Sequence, residues 1–342
     1  IWHIRGKRAL EGTCFVQGSK NATLPIIAAS IICPARSELM NVPQLRDVDA
    51  ALRILRHIGC TAEQRGGEVY IDSTYLSCSA IPHELMVEMR SSVIFMGALL
   101  ARCGEARLSL PGGCQLGKRP IDLHLSALRA MGAEIDEDGT EIYCRASKLH
   151  GAEIELPFPS VGATENVMLA ACAARGRTVI HGAAREPEIA DLIGFLRAAG
   201  ADISGAGTSS LQICGVSRLH GATYTILPDR IETATYLCMA AGCGGETELL
   251  RCDARLLLPV IERLREAGCE ISADADRIVL RSSGRLLPLL PVSTAPYPGF
   301  PTDAQALLMA AVLKAAGGSE FRETIFERRP EDEILEQLHI GR

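Results

Sequence analysis

Short polar or charged clusters open apolar runs of helical length five times along this chain. Lys20-Asn21 precedes ATLPIIAASIIC, Arg90-Ser91-Ser92 precedes VIFMGALLA, and Thr164-Glu165-Asn166 precedes VMLAACAA. Arg230 to Thr233 precedes ATYLCMAA, and Thr302-Asp303 precedes AQALLMAAVL. The later runs stop at Gly104, Gly176, Gly244 and Gly317. A recurrence at near-constant spacing predicts an array of one repeated unit. It also predicts five helix starts in equivalent places, each able to attract an anion through free N–H groups and the helix dipole.

A second pattern runs in register with the first. Leu55-Arg56-His57-Ile58-Gly59, Leu128-Arg129-Ala130-Met131-Gly132, Leu196-Arg197-Ala198-Ala199-Gly200 and Leu264-Arg265-Glu266-Ala267-Gly268 share the form L-R-x-x-G. Their glycines lie 73, 68 and 68 residues apart and sit where a helix should end. Each is followed by a short strand, a Gly- or Asp-rich turn and a second strand, as in Ala133-Glu134-Ile135, Glu137-Asp138-Gly139 and Glu141-Ile142-Tyr143. That is a hairpin signature. One unit therefore reads helix, strand, helix, strand, strand, over roughly 70 residues.

Composition narrows the function classes. The 342 residues suit about two domains. Hydrophobic content of 47 % with 22 % charged residues is that of an ordinary globular protein, with no run of the ~18–20 apolar residues a membrane span needs. No signal peptide is legible; Ile1-Trp2-His3-Ile4-Arg5 reads as a strand. The net charge of −6 argues against a nucleic-acid binder. The thirteen cysteines form no C-x-x-C pair, which predicts reduced, mostly buried thiols in a cytoplasmic protein. The eight histidines form no H-E-x-x-H, and no Walker A sequence occurs, so neither a metal nor a nucleotide cofactor is expected. Gly205-Ala206-Gly207 lies in a predicted hairpin turn, with no helix after it to make a dinucleotide site.

One cysteine stands apart. In Pro111-Gly112-Gly113-Cys114-Gln115-Leu116-Gly117-Lys118-Arg119-Pro120 the three glycines and two prolines predict a surface loop. Lys118 and Arg119 beside Cys114 favour its thiolate. Loops of this composition often close over substrate.

The chain resembles the enolpyruvyl transferase family, in the branch that acts on UDP-N-acetylglucosamine. The resemblance runs to Glu327. It rests on Gly18-Ser19-Lys20-Asn21-Ala22, Pro111-Gly112-Gly113-Cys114 with Arg119-Pro120-Ile121-Asp122, and Ser160-Val161-Gly162-Ala163-Thr164. It rests further on Ala184-Arg185-Glu186-Pro187-Glu188-Ile189, Leu227-Pro228-Asp229-Arg230-Ile231-Glu232-Thr233, Phe300-Pro301-Thr302-Asp303 and Glu323-Thr324-Ile325-Phe326-Glu327. The resemblance implies a two-lobed inside-out α/β barrel. Residues 20–228 would form a first lobe of three repeats, and 1–19 with 229–342 a second, incomplete lobe, the chain ending inside the fifth of the family's six repeats. It implies transfer of the enolpyruvyl group of phosphoenolpyruvate to the sugar 3′-hydroxyl of UDP-N-acetylglucosamine, a step of peptidoglycan synthesis, with no metal or organic cofactor.

Roles follow by the same resemblance. Cys114 matches the proton donor, which fosfomycin alkylates in most members, and Asp303 matches the carboxylate beside the attacking hydroxyl. Lys20 and Asn21 match phosphoenolpyruvate contacts, and Arg90 matches a substrate ligand. Arg119, Pro120, Ile121, Asp122 and Leu123 match the stretch that grips the nucleotide; Ser160, Val161 and Gly162 match a second nucleotide contact, and Ile325 a backbone one. Asp122, Ser160, Glu186, Asp229 and Glu232 are explained equally well as helix caps or first-turn acids. Two other readings stay open. One is enolpyruvylshikimate-phosphate synthase, which lacks resemblance at the cysteine loop and Arg-Pro-Ile-Asp. The other is a non-catalytic ligand-binding paralogue lacking the last repeat.

Overall fold

The computed structural model describes residues 3, 6, 8–89, 91–109 and 121–326. The chain divides into two compact units, residues 18–227 and residues 1–17 with 228–342. Each has its own apolar core.

In the 18–227 unit three helices are apolar nearly all round: Lys20–Ala29, Phe95–Cys103 and Val161–Cys172. A helix without a polar face must be covered on every side, and these are buried along most of their length. Phe95–Cys103 packs on Val161–Cys172, and Lys20–Ala29 on the amphipathic helices Arg46–His57 and Pro187–Ala198. The sheets lie outside the helices and expose one face, with burial alternating along strands such as Arg36–Met40 and Ser210–Cys214. The expected inside-out α/β arrangement is therefore present.

Four sheets have four strands each, in one plan. An edge strand pairs in parallel with the strand that follows an inner helix, and a hairpin completes the sheet antiparallel. The edge strand comes from the preceding repeat. Ala80–Ile81 joins Glu105–Ser109, and Glu153–Glu155 joins Arg177–His181. Thr223–Thr225 returns to Arg36–Met40 and closes the ring. In the other unit Gly12–Phe15 takes the edge place beside Gly245–Leu250, with Arg277–Ser282 and Glu270–Ala273 beyond. There Val292–Ser293 pairs with Phe321–Arg322. The repeat thus has a sixth element, an exported strand, which the periodicity reading omits.

The L-R-x-x-G corners are alike in detail. Gly59, Gly132, Gly200 and Gly268 have φ of 103°, 94°, 97° and 97°. The next residue's N–H donates to the carbonyl of the motif leucine: Cys60 to Leu55 at 2.9 Å, Ala133 to Leu128 at 3.0 Å, Ala201 to Leu196 at 2.9 Å, Cys269 to Leu264 at 3.0 Å. The glycine N–H donates to the motif arginine's carbonyl, which makes each corner a Schellman motif. The arginine side chain then reaches over the turn to a strand carbonyl six residues on. Arg56 donates to Ala62 at 2.8 Å, Arg129 to Ile135 at 3.3 Å, Arg197 to Ile203 at 2.7 Å and Arg265 to Ile271 at 2.9 Å.

Two expectations shift. Thr164-Glu165-Asn166 does not open its helix: Ser160 caps it, the helix starts at Val161, and all three residues are buried. The run after Arg90 begins with a 3-10 turn, Ser92–Ile94, before the α-helix at Phe95. Ile1, Trp2, Ile4 and Arg5, read as a strand start, lie outside the described residues. No described helix is long and apolar enough to cross a membrane, and the twelve described cysteines are free thiols.

The corner glycines serve two ends at once. A Cβ on Gly59 would lie 2.6 Å from the Ser77 backbone nitrogen, besides being strained at its φ of 103°, whereas one on Gly66 would meet nothing within 4 Å. Gly59→Ala should cost at least about 2 kcal/mol, and Gly66→Ala about 1 kcal/mol. Urea unfolding of the two variants would show the difference; equal midpoints would mean the corner adapts.

Candidate active site

The predicted site residues fall in both units. In the 18–227 unit Lys20 and Asn21 open the first inner helix, capped by the buried Ser19, whose Oγ accepts the Ala22 N–H at 3.4 Å. Lys20 Nζ lies 3.1 Å from Asp47 Oδ2, and both side chains keep a third or more of their surface. Lys20 is thus a cation tethered at a helix start, where the dipole favours an anion. Arg90, Cys114, Arg119 and Pro120 lie outside the described residues.

Ile121, Asp122 and Leu123 form the start of helix Asp122–Ala130. Ile121 and Leu123 pack against the core while Asp122 is an exposed first-turn acid. Ser160 caps the next inner helix, its Oγ accepting the Ala163 N–H at 3.3 Å. Val161 and Gly162 follow as the first helical residues, half-buried.

Two residues the sequence reading missed bring these helix starts together. Asn166 is fully buried. Its Oδ1 accepts the Gly97 N–H at 2.7 Å, which fixes the amide so that Nδ2 donates to the Val93 carbonyl at 3.1 Å and to His124 Nδ1 at 2.8 Å. With Nδ1 accepting, this network assigns the imidazole proton to Nε2. The His124 ring lies against Gly162, where a Cβ would come 3.0 Å from Cε1. One Asn–His pair therefore joins the helix after Arg90, the helix of Asp122 and Leu123, and the helix of Ser160 to Gly162. Asn166 was read as part of a polar cluster opening the helix. The cue was a polar side chain inside an otherwise apolar helix, where it must find partners.

Burial holds His124 neutral, its pKa pushed down to about 4. Deeper in the unit, burial and then the neighbouring Glu188 and Glu186 raise the Glu165 carboxyl well above the usual range. Asp191 is raised to about 6 by burial, although the Tyr224 hydroxyl donates to it at 2.8 Å and the Leu227 N–H at 3.2 Å. Glu186 occupies the N-cap position of helix Pro187–Ala198, with Pro187 in its first turn.

In the other unit Asp229 caps helix Arg230–Cys243, accepting the Ile231 and Glu232 N–H groups at 2.8 and 3.0 Å. Glu232 accepts the Gln17 N–H at 2.8 Å. Both have structural work there. Asp303 is an exposed acid in the first turn of helix Thr302–Val312. The Ile325 N–H donates to Glu323 at 2.7 Å. Among the described residues no cluster of His, Cys, Asp or Glu could hold a metal ion.

Solved structures share this fold. The enolpyruvyl transferase NikO of Streptomyces tendae superposes with a TM-score of 0.87 at 24 % identity, covering 97 % of this chain and 80 % of that one. EPSP synthase of Acinetobacter baumannii gives 0.70 at 21 %, over 92 % and 74 %. The architecture is that of the enolpyruvyl transferases. Residues 4–332 match the family model described as EPSP synthase (3-phosphoshikimate 1-carboxyvinyltransferase), and the chain belongs to that family. Within it, the UDP-N-acetylglucosamine 1-carboxyvinyltransferase 2 of Caldanaerobacter subterraneus is 47 % identical over 95 % of this chain and 78 % of its own length. The UDP-N-acetylglucosamine 1-carboxyvinyltransferase of Gluconacetobacter diazotrophicus is 47 % identical, with the same coverage.

The buried imidazole sets a pH dependence. Its folded pKa of about 4 lies below its ordinary 6.5, so the unfolded chain takes up the proton first. Stability present above pH 6.5 is therefore lost as pH falls towards 4, by up to roughly 3 kcal/mol. Asp191 and Glu165 act in the opposite sense, their folded pKa values being raised, so a difference between variants isolates the histidine. His124→Gln should flatten the fall in urea midpoint between pH 6.5 and 4; an unchanged slope would show that His124 does not set it.

Proposed function

We propose that this protein transfers the enolpyruvyl group of phosphoenolpyruvate to the 3′-hydroxyl of UDP-N-acetylglucosamine, releasing phosphate. The observation that carries the reading is the 47 % identity, over 95 % of the chain, to a relative named for that reaction. The shikimate enzyme of known structure shares only 21 %. The reaction would belong to peptidoglycan synthesis in the cytoplasm, a compartment in keeping with free thiols.

The residues take the following roles. Lys20 and Asn21 hold phosphoenolpyruvate, the helix start adding N–H donors to the lysine charge. Arg90 is a further substrate ligand. Arg119, Pro120, Ile121, Asp122 and Leu123 grip the nucleotide with Ser160, Val161 and Gly162, and Ile325 adds a backbone contact. Cys114 delivers a proton to the methylene carbon of phosphoenolpyruvate, leaving an oxocarbenium-like carbon. The sugar hydroxyl oxygen bonds to that carbon while Asp303 takes the hydroxyl proton. The tetrahedral ketal then breaks its bond to the phosphate oxygen and loses a methyl proton, which restores the double bond. The acid and base are side chains, so no cofactor enters the scheme.

Phosphate release in the presence of phosphoenolpyruvate should appear with UDP-N-acetylglucosamine and not with shikimate 3-phosphate. Release with the shikimate ester alone would transfer the assignment to the sibling enzyme, and binding without release would favour a non-catalytic paralogue. Asp303→Ala should slow release about 10²-fold or more while changing stability by no more than ~1 kcal/mol. An unchanged rate would reduce Asp303 to a first-turn acid.

Fosfomycin should alkylate Cys114 ahead of the other twelve cysteines, and UDP-N-acetylglucosamine should accelerate it. Peptide mapping by mass spectrometry would locate the adduct. Label spread over several cysteines would contradict a special role for Cys114.

A further inference from the structure

Glu323 has been given no role so far, yet its carboxylate accepts hydrogen bonds from four different residues. The parallel pairing of Val292–Ser293 with Phe321–Arg322 delivers it beside Thr294. Its Oε1 accepts the Ile325 N–H at 2.7 Å, the Phe326 N–H at 3.2 Å and the Thr294 hydroxyl at 3.0 Å. Its Oε2 accepts the Thr302 hydroxyl at 2.7 Å. Thr294, itself buried, accepts the Thr324 N–H at 2.8 Å, and its carbonyl accepts the Thr324 hydroxyl at 2.6 Å. A carboxylate offers about four lone-pair sites, and here they go to two different elements. One oxygen shapes the turn at Ile325; the other holds the first residue of the helix whose next residue is Asp303.

We propose that Glu323 is a positioning residue of the transfer reaction, a carboxylate clamp that fixes the helix start carrying Asp303 relative to the backbone of Ile325. This rests on the reading of Asp303 and Ile325 as site residues. A carboxylate serving only its own turn would need no bond to Thr302, and the Thr302 arm is what gives the clamp its reach. With the Ile325 N–H already engaged, a backbone contact from Ile325 to the sugar nucleotide falls to its carbonyl oxygen. Burial raises the Glu323 carboxyl, but the donated hydrogen bonds outweigh that and hold it below its ordinary value, so it is the ionised form that clamps. Charge-assisted bonds of this kind are roughly twice as strong as neutral ones.

The two arms can be cut separately. Thr302→Val cuts the arm to the Asp303 helix and leaves the Ile325 and Phe326 N–H bonds to Glu323 in place, so kcat should fall about tenfold with KM for UDP-N-acetylglucosamine within twofold. Glu323→Ala cuts both arms and should lower kcat and raise that KM, each about tenfold. Glu323→Gln keeps an oxygen for the two N–H groups and an amide that can donate to Thr302, so it should recover most of the loss. Hydrogen exchange of the Ile325 and Phe326 amides gives a readout free of catalysis. It should quicken at least tenfold in Glu323→Ala and stay near native in Thr302→Val. Kinetic constants within twofold of native in Thr302→Val and Glu323→Ala alike would overturn the proposal, as would unaltered amide exchange in Glu323→Ala. If Glu323→Ala does not fold, the split in Thr302→Val and the recovery in Glu323→Gln decide the matter. If the unsubstituted protein transfers no enolpyruvyl group, the functional reading fails, and amide exchange alone judges the clamp.

Discussion

The interaction on which the rest depends is the bond from an arginine at the end of each outer helix to a strand carbonyl six residues on. A helix ends with unpaired carbonyls and a partial negative charge. Here the Schellman turn takes up two carbonyls, and the arginine lays its charge over the same end while gripping the strand that leaves it. The last helical carbonyl is taken by a segment returning from the hairpin, Ser77 N–H to Ile58 at 2.8 Å and His150 N–H to Met131 at 3.1 Å. His220 N–H to Ala199 and Leu287 N–H to Ala267, both at 2.9 Å, repeat it. Helix, hairpin and exit are thereby locked at one point, four times.

That lock aims the chain at the next sheet. After the returning segment come the strands that leave home, and each finds its place beside a neighbour's strand. The sheets are thus shared between repeats. In the 18–227 unit the third repeat supplies the first, and the ends of the unit meet where the Ser19 N–H donates to the Leu227 carbonyl at 2.8 Å. Closure of this kind leaves the inner helices enclosed, and Asn166 with His124 ties two of them, Phe95–Cys103 and Val161–Cys172, to the helix Asp122–Ala130. A helix start serves an anion best when it is held still, and the Asn166–His124 bonds supply that hold.

The helices, hairpins and corner glycines were legible because each has a period or an obligatory residue. Four L-R-x-x-G motifs could mean only helix ends, and all four glycines have positive φ. The exported strands were not legible. Ala80–Ile81, Glu153–Glu155 and Thr223–Thr225 are two or three residues long and lie in parallel pairs, too short for alternation to register. Helix Val161–Cys172 starts earlier than the cluster Thr164-Glu165-Asn166 suggests, because Asn166 lies inside the helix and turns inward to three partners. Of the candidate site, Lys20, Asp122, Ser160 and Asp303 do stand in the first turns or cap positions of helices. Residues that act through others escaped notice. His124 and Glu323 owe their importance to neighbours 42 and 21 positions away, a distance that no local pattern spans.

The edge strand Gly12–Phe15 has a consequence in time. Its only described sheet neighbour is Gly245–Leu250, so some 230 residues separate a strand from its partner. At ~5–20 residues per second on a ribosome, roughly 10–50 s pass between the emergence of the two. During that interval the whole 18–227 unit can form around its closed ring, while the segment before it waits with its backbone unpaired. The phenylalanine at its end, Phe15, stays largely exposed even in the finished sheet. A waiting edge of that kind is short, and brevity is how natural sheets limit wrong pairings. The inserted ring is therefore a clock as well as a scaffold: the order of synthesis makes the continuous unit first and the discontinuous one second.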